Sequence, residues 1–301
     1  MSEHCPTIRI CALDGSILIR DGLSICFYMR RHHHEVAQGV MRSLETYLRV
    51  LGPEALGWYA DSEGDWQELD EAGWAHIRSR MQGRSPIIIL KDDPAGASPY
   101  RFEYFGKDLE APFFINNPHA VCALEFWLPT EFLEERGPAR VRELALELAT
   151  SLPFNSGHVS LSLNALHQLA GVSDELRQLR LRYPGMDVHA LEHLGWHIGT
   201  RIRGPHWLTF LGQPVLGELG GVPGLRSRLV SPDISVQPLD AERALVTLGE
   251  WPEAGDTTRG LPLPLHRELA RVLAPWLYHE PPLRDPVASE DTLRWERRFL
   301  D

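Results

Sequence analysis

In the stretch GWYADSEGDWQELDEAGW, residues 57–74, six carboxylates stand among four aromatic rings without one Lys or Arg. The acids are Asp61, Glu63, Asp65, Glu68, Asp70 and Glu71; the rings belong to Trp58, Tyr59, Trp66 and Trp74. Clustered carboxylates can hold a metal, pass protons, imitate nucleic-acid phosphates or keep a surface wet. A two-metal nuclease centre needs its acids on a strand and commonly a Lys to position the attacking water. This segment, with Gly64 and Gly73, reads as a loop feeding a helix that starts near Asp70 or Glu71, and no lysine precedes Lys91. Catalysis is the weakest of its uses. A solvated loop and a partner-facing surface remain, the latter because interface hot spots favour aromatics.

Histidines offer the other chemistry. His32, His33 and His34 precede a helix, on which adjacent side chains diverge and cannot share one ion. His189, His193 and His197 fall at i, i+4 and i+8 and would line one helical face, so two of them could ligate zinc. The glutamate of an HExxH pattern is missing, since Ala190 stands in its place, and Gly195 weakens the helix. His158 sits between Ser156 and Ser160, yet no GxSxG elbow surrounds any serine. Phosphate-binding glycine patterns are absent too. No catalytic residue, metal ligand or cofactor is assigned on these grounds.

The bulk composition narrows the partners. A net charge of −11 over 301 residues disfavours nucleic-acid binding, which needs a basic face, and points toward a basic partner or none. Lys91 and Lys107 are the only lysines, so Schiff-base chemistry has few candidates. No apolar run suggests a membrane span, and the start MSEHCPTIRI lacks the basic and apolar regions of a secretory signal. Cys5, Cys11, Cys26 and Cys122 form no CxxC pair and read as small buried residues of a reducing cytoplasm.

The elements that must position these residues alternate along the chain. Residues 7–13 and 16–29 read as strands, with turns at Asp14-Gly15 and Asp21-Gly22. Val36, Val40, Leu44, Tyr47, Leu48 and Leu51 make a helical stripe stopped by Gly52-Pro53. SPIIILKDD, YRFEYFGKD and AVCALEFWLP read as strands, and GPARVRELALELATSLP as a helix with Val141, Leu144, Ala145 and Leu148 inward. HVSLSL alternates as a half-buried strand should. ISVQPL and ALVTLGEW suggest a hairpin, LPLHRELARVLAPWLY a helix, and the tail a short helix carrying Trp295 and Phe299. SICFYMR…EVAQGVMRSLETYL and ALEFWLP…ARVRELALELAT echo one another, which hints at repeated strand–helix–strand units. Hairpin-length links cannot join parallel strands, so the pattern implies an α+β fold, largely antiparallel, with helices packed on one face. A single domain over 1–301 is expected, with the seam between two lobes near 111–119.

Several of these segments together resemble a known family. FYMRR…EVAQGVMRSLETYL, WYADSEGDWQELDEAGW, FWLPTEFLEERGPARVRELALELATSLPFNSGHVSLS, LRYPGMDV, RGPHWLTFLGQPVLGELGG and EAGDTTRGLPLPLHRELARVLAPWL are similar to the type VI secretion immunity family (TsiV-like) of proteobacteria. The resemblance runs from about residue 16 to 300 and implies a cytoplasmic, non-enzymatic protein. Such proteins are encoded beside toxins of the type VI secretion system, some of them nucleases, and block the toxin's active site. The family carries no catalytic motif to transfer. The implied partner is a cognate effector toxin, with no nucleic acid and no membrane. Asp61, Glu63, Asp65, Trp66, Glu68 and Asp70 are the expected contact residues, because an acidic surface complements a phosphate-binding cleft. Two other readings stay open: a metal-dependent hydrolase built on His189, His193 and His197, and an acidic protein-binding scaffold.

Overall fold

A computed structural model describes residues 5–166, 169, 171–188, 190–280 and 286–301, with the side chains of 286–289 excepted. The chain opens with β1 (Arg9–Cys11) and β2 (Ile17–Met29), joined by the expected turn at Asp14-Gly15, where Gly15 takes a φ of 86°. The second expected turn is absent: β2 runs straight through Asp21-Gly22. Buried Asp21 finds its partners across the sheet, accepting from the Ile8 amide (2.7 Å), pairing with Arg9 and accepting from the Thr130 hydroxyl. Gly22 serves close strand approach, since a Cβ there would lie 2.7 Å from Asn164 Nδ2.

Helix α1 (His33–Leu51) buries Val36, Val40, Leu44 and Tyr47 as its spacing predicts and ends at Gly52, with φ 108°. A hairpin of β3 (Trp58–Ala60) and β4 (Trp66–Glu68) then leads to α2 (Glu71–Arg80). The acidic segment is thus two short strands and a turn, where a plain loop was expected. Next come β5 (Ile87–Lys91), β6 (Arg101–Phe105), β7 (Cys122–Pro129) and α3 (Thr130–Ala149). Helix α3 is broken at Gly137 (φ 77°) and restarts at Pro138, where ring-fixed φ and a missing N–H suit a first helical position. Its second half buries Val141, Leu144, Ala145 and Leu148, as expected.

Strand β8 (Ser156–Ala165) follows, then α4 (Val172–Arg182), β9 (Asp187–Val188), α5 (Leu191–His197) and β10 (Leu208–Leu211). The short helices α6 (Val215–Glu218) and α7 (Gly221–Arg228) precede the expected hairpin of β11 (Ile234–Pro238) and β12 (Ala244–Leu248). Helices α8 (Pro264–Leu273) and α9 (Pro286–Glu296) close the described chain, with Trp295 and Phe299 buried.

The strands form one sheet in the order β11-β12-β10-β8-β2-β7-β6-β5-β3-β4, with β1 beside β2 and β9 beside β8. Only the β8–β9 pair among the named strands is parallel, so the fold is α+β and antiparallel, as hairpin-length links require. On one face Leu23, Ile25 and Phe27 of β2 meet α1 and α3 in the main core. The two helices are tied where Ser43 Oγ donates to the Leu148 carbonyl (2.9 Å). Burying each large side chain there contributes about 1.5–3 kcal/mol. On the other face Cys26 and Tyr28 pack against α5, and Leu211, Val236 and Val246 against α6, α7 and α8. Strand β8 is therefore covered on both faces, and its serines and His158 are buried, which corrects the half-buried reading. Cys11 is exposed, whereas Cys5, Cys26 and Cys122 are buried. No helix among the described residues is long and apolar enough to cross a membrane.

Candidate functional site

Strand β4 is the last strand of the sheet, so the acidic hairpin forms one edge of that sheet. Its six expected contact residues divide by task. Asp61 holds the turn: Oδ1 accepts from the amides of Glu63 (2.9 Å) and Asp65 (3.0 Å), and Oδ2 from Gln67 Nε2 (3.0 Å). The Gln67 bond, seconded by these amides, lowers the Asp61 carboxyl below its usual range. Asp70 caps α2, accepting from the Gly73 amide at 2.8 Å. Glu63, Asp65 and Glu68 are exposed and point no acceptor at these local donors. Trp66 is half-buried, with Lys91 Nζ 4.0 Å from its ring centroid. That ammonium donates to the Pro94 carbonyl (2.8 Å), and burial lowers its pKa to about 8. A cation fixed beneath the ring holds Trp66 in place while leaving part of it facing solvent.

A second tryptophan is built the same way. Lys107 Nζ lies 5.2 Å from the Trp196 centroid, donates to the Val121 carbonyl (3.0 Å) and is lowered by burial to about 8. Above Trp196 stand Phe113, edge-on at 5.4 Å, and Phe114, stacked at 5.1 Å. Phe113 and Ile115 are 75% and 65% exposed, making an apolar knob between β6 and β7. This is the segment expected to be a seam; the strands on either side of it pair directly. The sequence signal was the unbroken FFI inside a Pro/Asn-rich run.

The expected histidine face assembles only in part. His189 lies outside the described residues, and α5 begins at Leu191 with Ala190 as its N-cap, so the helix spans only His193 and His197. Their exposed rings stand 4.5 Å apart, and His193 pairs with Glu280, which also accepts from the Tyr278 hydroxyl at 2.9 Å. Among the described residues the cluster with metal-ligating spacing is a different one, His158, Asp187 and His206, all buried. It joins β8, β9 and the segment before β10, three regions whose proximity sequence spacing does not reveal. A histidine in the strand-like SGHVSLS was its one visible signal. Of the triple His32–His34, His33 is buried, bonded to the Tyr104 hydroxyl and the Met81 carbonyl at 2.8 Å each.

The family model described as type VI immunity for VRR-NUC matches residues 39–299. Among solved structures the chain is similar to the Pseudomonas aeruginosa T6SS protein PA0821, with a TM-score of 0.80 at 17% identity, covering 97% of this chain and 87% of that one. At that identity the likeness speaks for a shared fold. No curated protein matches.

Proposed function

The chain belongs to the family of type VI immunity proteins for VRR-NUC, and from that premise we propose that it binds a VRR-NUC-type toxin and blocks its active site by occlusion, without catalysis of its own. The family match over residues 39–299 carries this reading, and it takes in the whole acidic hairpin. A nuclease must bind phosphates in a basic cleft, and a chain of charge −11 with Glu63, Asp65 and Glu68 at a sheet edge suits that cleft. Trp66, fixed over Lys91, supplies the rigid, partly desolvated anchor that interface hot spots use. Asp61 and Asp70 act indirectly, by shaping the hairpin and seating α2.

The test is co-expression with the toxin from the neighbouring reading frame, scoring growth and co-purification of the two untagged chains. Rescue with a stable complex is the expected result. Growth arrest despite abundant folded protein would overturn the reading. Retained rescue in a Glu63→Gln/Asp65→Asn/Glu68→Gln variant, with rescue lost in Phe113→Ser, would move the contact to the apolar knob.

A further inference from the structure

Asp187 divides its carboxylate. Oδ1 accepts from the Val188 amide at 2.8 Å and faces Arg203 at 3.5 Å. Oδ2 faces two imidazoles, His158 Nε2 at 3.2 Å and His206 Nε2 at 3.9 Å. The His158 nitrogen pairs with this oxygen, whereas the His206 nitrogen is too distant for a hydrogen bond and makes none. Both residues are 2% exposed, so two buried ring nitrogens are aimed at the same oxygen, and that of His206 has no hydrogen-bond partner. Buried polar atoms without partners are rare and each calls for a cause. The two rings stack with centroids 4.1 Å apart, which brings their nitrogens to one side. Backbone fixes the set: His158 sits mid-strand opposite Cys26 and Thr209, and the His206 amide is locked to Thr209 Oγ1 at 3.1 Å.

We propose that His158 Nε2, His206 Nε2 and Asp187 Oδ2 bind one divalent transition-metal ion of the zinc class. Ligand atoms held about 2.0–2.1 Å from such an ion stand roughly 3–3.5 Å apart, close to the spacing found. Two imidazoles and a carboxylate suit zinc and its neighbours and disfavour calcium or magnesium. Arg203 and the Val188 amide hold the non-ligating oxygen, as outer groups at metal sites commonly do. Half-buried Arg298 and Arg203 add positive charge nearby, answered in part by Glu296, which accepts from the Glu280 amide at 2.9 Å. The ion would staple β9 and the segment before β10 to the middle of the sheet. The site is buried and distinct from the exposed His193–His197 pair.

The test uses tag-free full-length protein, stripped with a chelator and titrated with Zn²⁺ against a chromophoric competitor. One equivalent bound at micromolar affinity or better is expected, with a rise in melting temperature and a visible Co²⁺ spectrum of a nitrogen-containing site. His206→Gln and His158→Gln are each expected to weaken Zn²⁺ by about 100-fold, while His193→Ala leaves it unchanged. Should either glutamine variant fail to fold, the Co²⁺ spectrum of the unsubstituted chain still decides. Uptake below one equivalent at 100-fold excess of Zn²⁺ per site over protein, or uptake abolished by His193→Ala and not by the glutamine variants, overturns the proposal.

Discussion

Lys91 and Lys107, the chain's two lysines, each lie beneath a half-buried tryptophan and donate to a carbonyl. Desolvation moves both from 10.5 to about 8. With two lysines, protein labelled with ¹³C-lysine gives two ε-carbon resonances, and both are expected to titrate near pH 8; titration above pH 10 would show the ammoniums to be hydrated. Trp66→Ala opens Lys91 to water and should return its titration upward while Lys107 stays put, at a cost to toxin binding of about 2 kcal/mol. The linkage has a definite sign. Both folded pKa values are depressed, so the unfolded chain holds protons that the folded chain has released between about 8 and 10.5. These lysines therefore weaken the fold below pH 8, and the penalty is relieved as pH rises through that window. Relative to Lys91→Met/Lys107→Met, the unsubstituted chain should gain stability from pH 7.5 to 9.5 in urea denaturation. A constant difference would contradict this.

At the level of elements, helix α1 and the second half of α3 were legible because their apolar spacing alone selects the buried face. The turn expected at Asp21-Gly22 failed since its evidence was a dipeptide; the partners that bury Asp21, at Ile8, Arg9 and Thr130, are contacts between elements. The period-two pattern of HVSLSL mixed serine with leucine, and nothing local says that its polar face is covered too. For the candidate site, the acidic hairpin was visible as composition, whereas its split into turn-forming Asp61, cap Asp70 and free Glu63, Asp65 and Glu68 needed the backbone. The buried trio is dispersed over almost fifty positions, and only His158 in SGHVSLS drew notice in the sequence; its partners did not. Gly39→Ala places a Cβ 2.2 Å from the Ser151 carbonyl oxygen, so α1 must shift from the α3 terminus, and a loss of about 1–3 kcal/mol is expected in chemical denaturation. An unchanged midpoint would mean the two elements are not in contact. Glu63→Gln/Asp65→Asn/Glu68→Gln should leave the melting temperature unaltered, while Asp61→Asn, which removes the turn's acceptor charge, should lower it.

For the whole molecule, the excess of 41 acidic over 30 basic residues sets how it meets a partner. The long-range field speeds encounter with a basic cleft, and salt weakens it over a Debye length of about 8–10 Å. Association with the toxin is expected to slow as ionic strength rises, and the Glu63/Asp65/Glu68 variant to show a slower rate with a flatter salt dependence. Identical rates at about 50 mM and about 300 mM salt would exclude electrostatic steering. Occlusion of the toxin's active site is tested by titrating the toxin's DNA cleavage with purified chain. A linear fall in cleavage to zero at one chain per toxin is expected, with no DNA bound by the chain alone. Undiminished cleavage at several-fold molar excess of folded chain would contradict it.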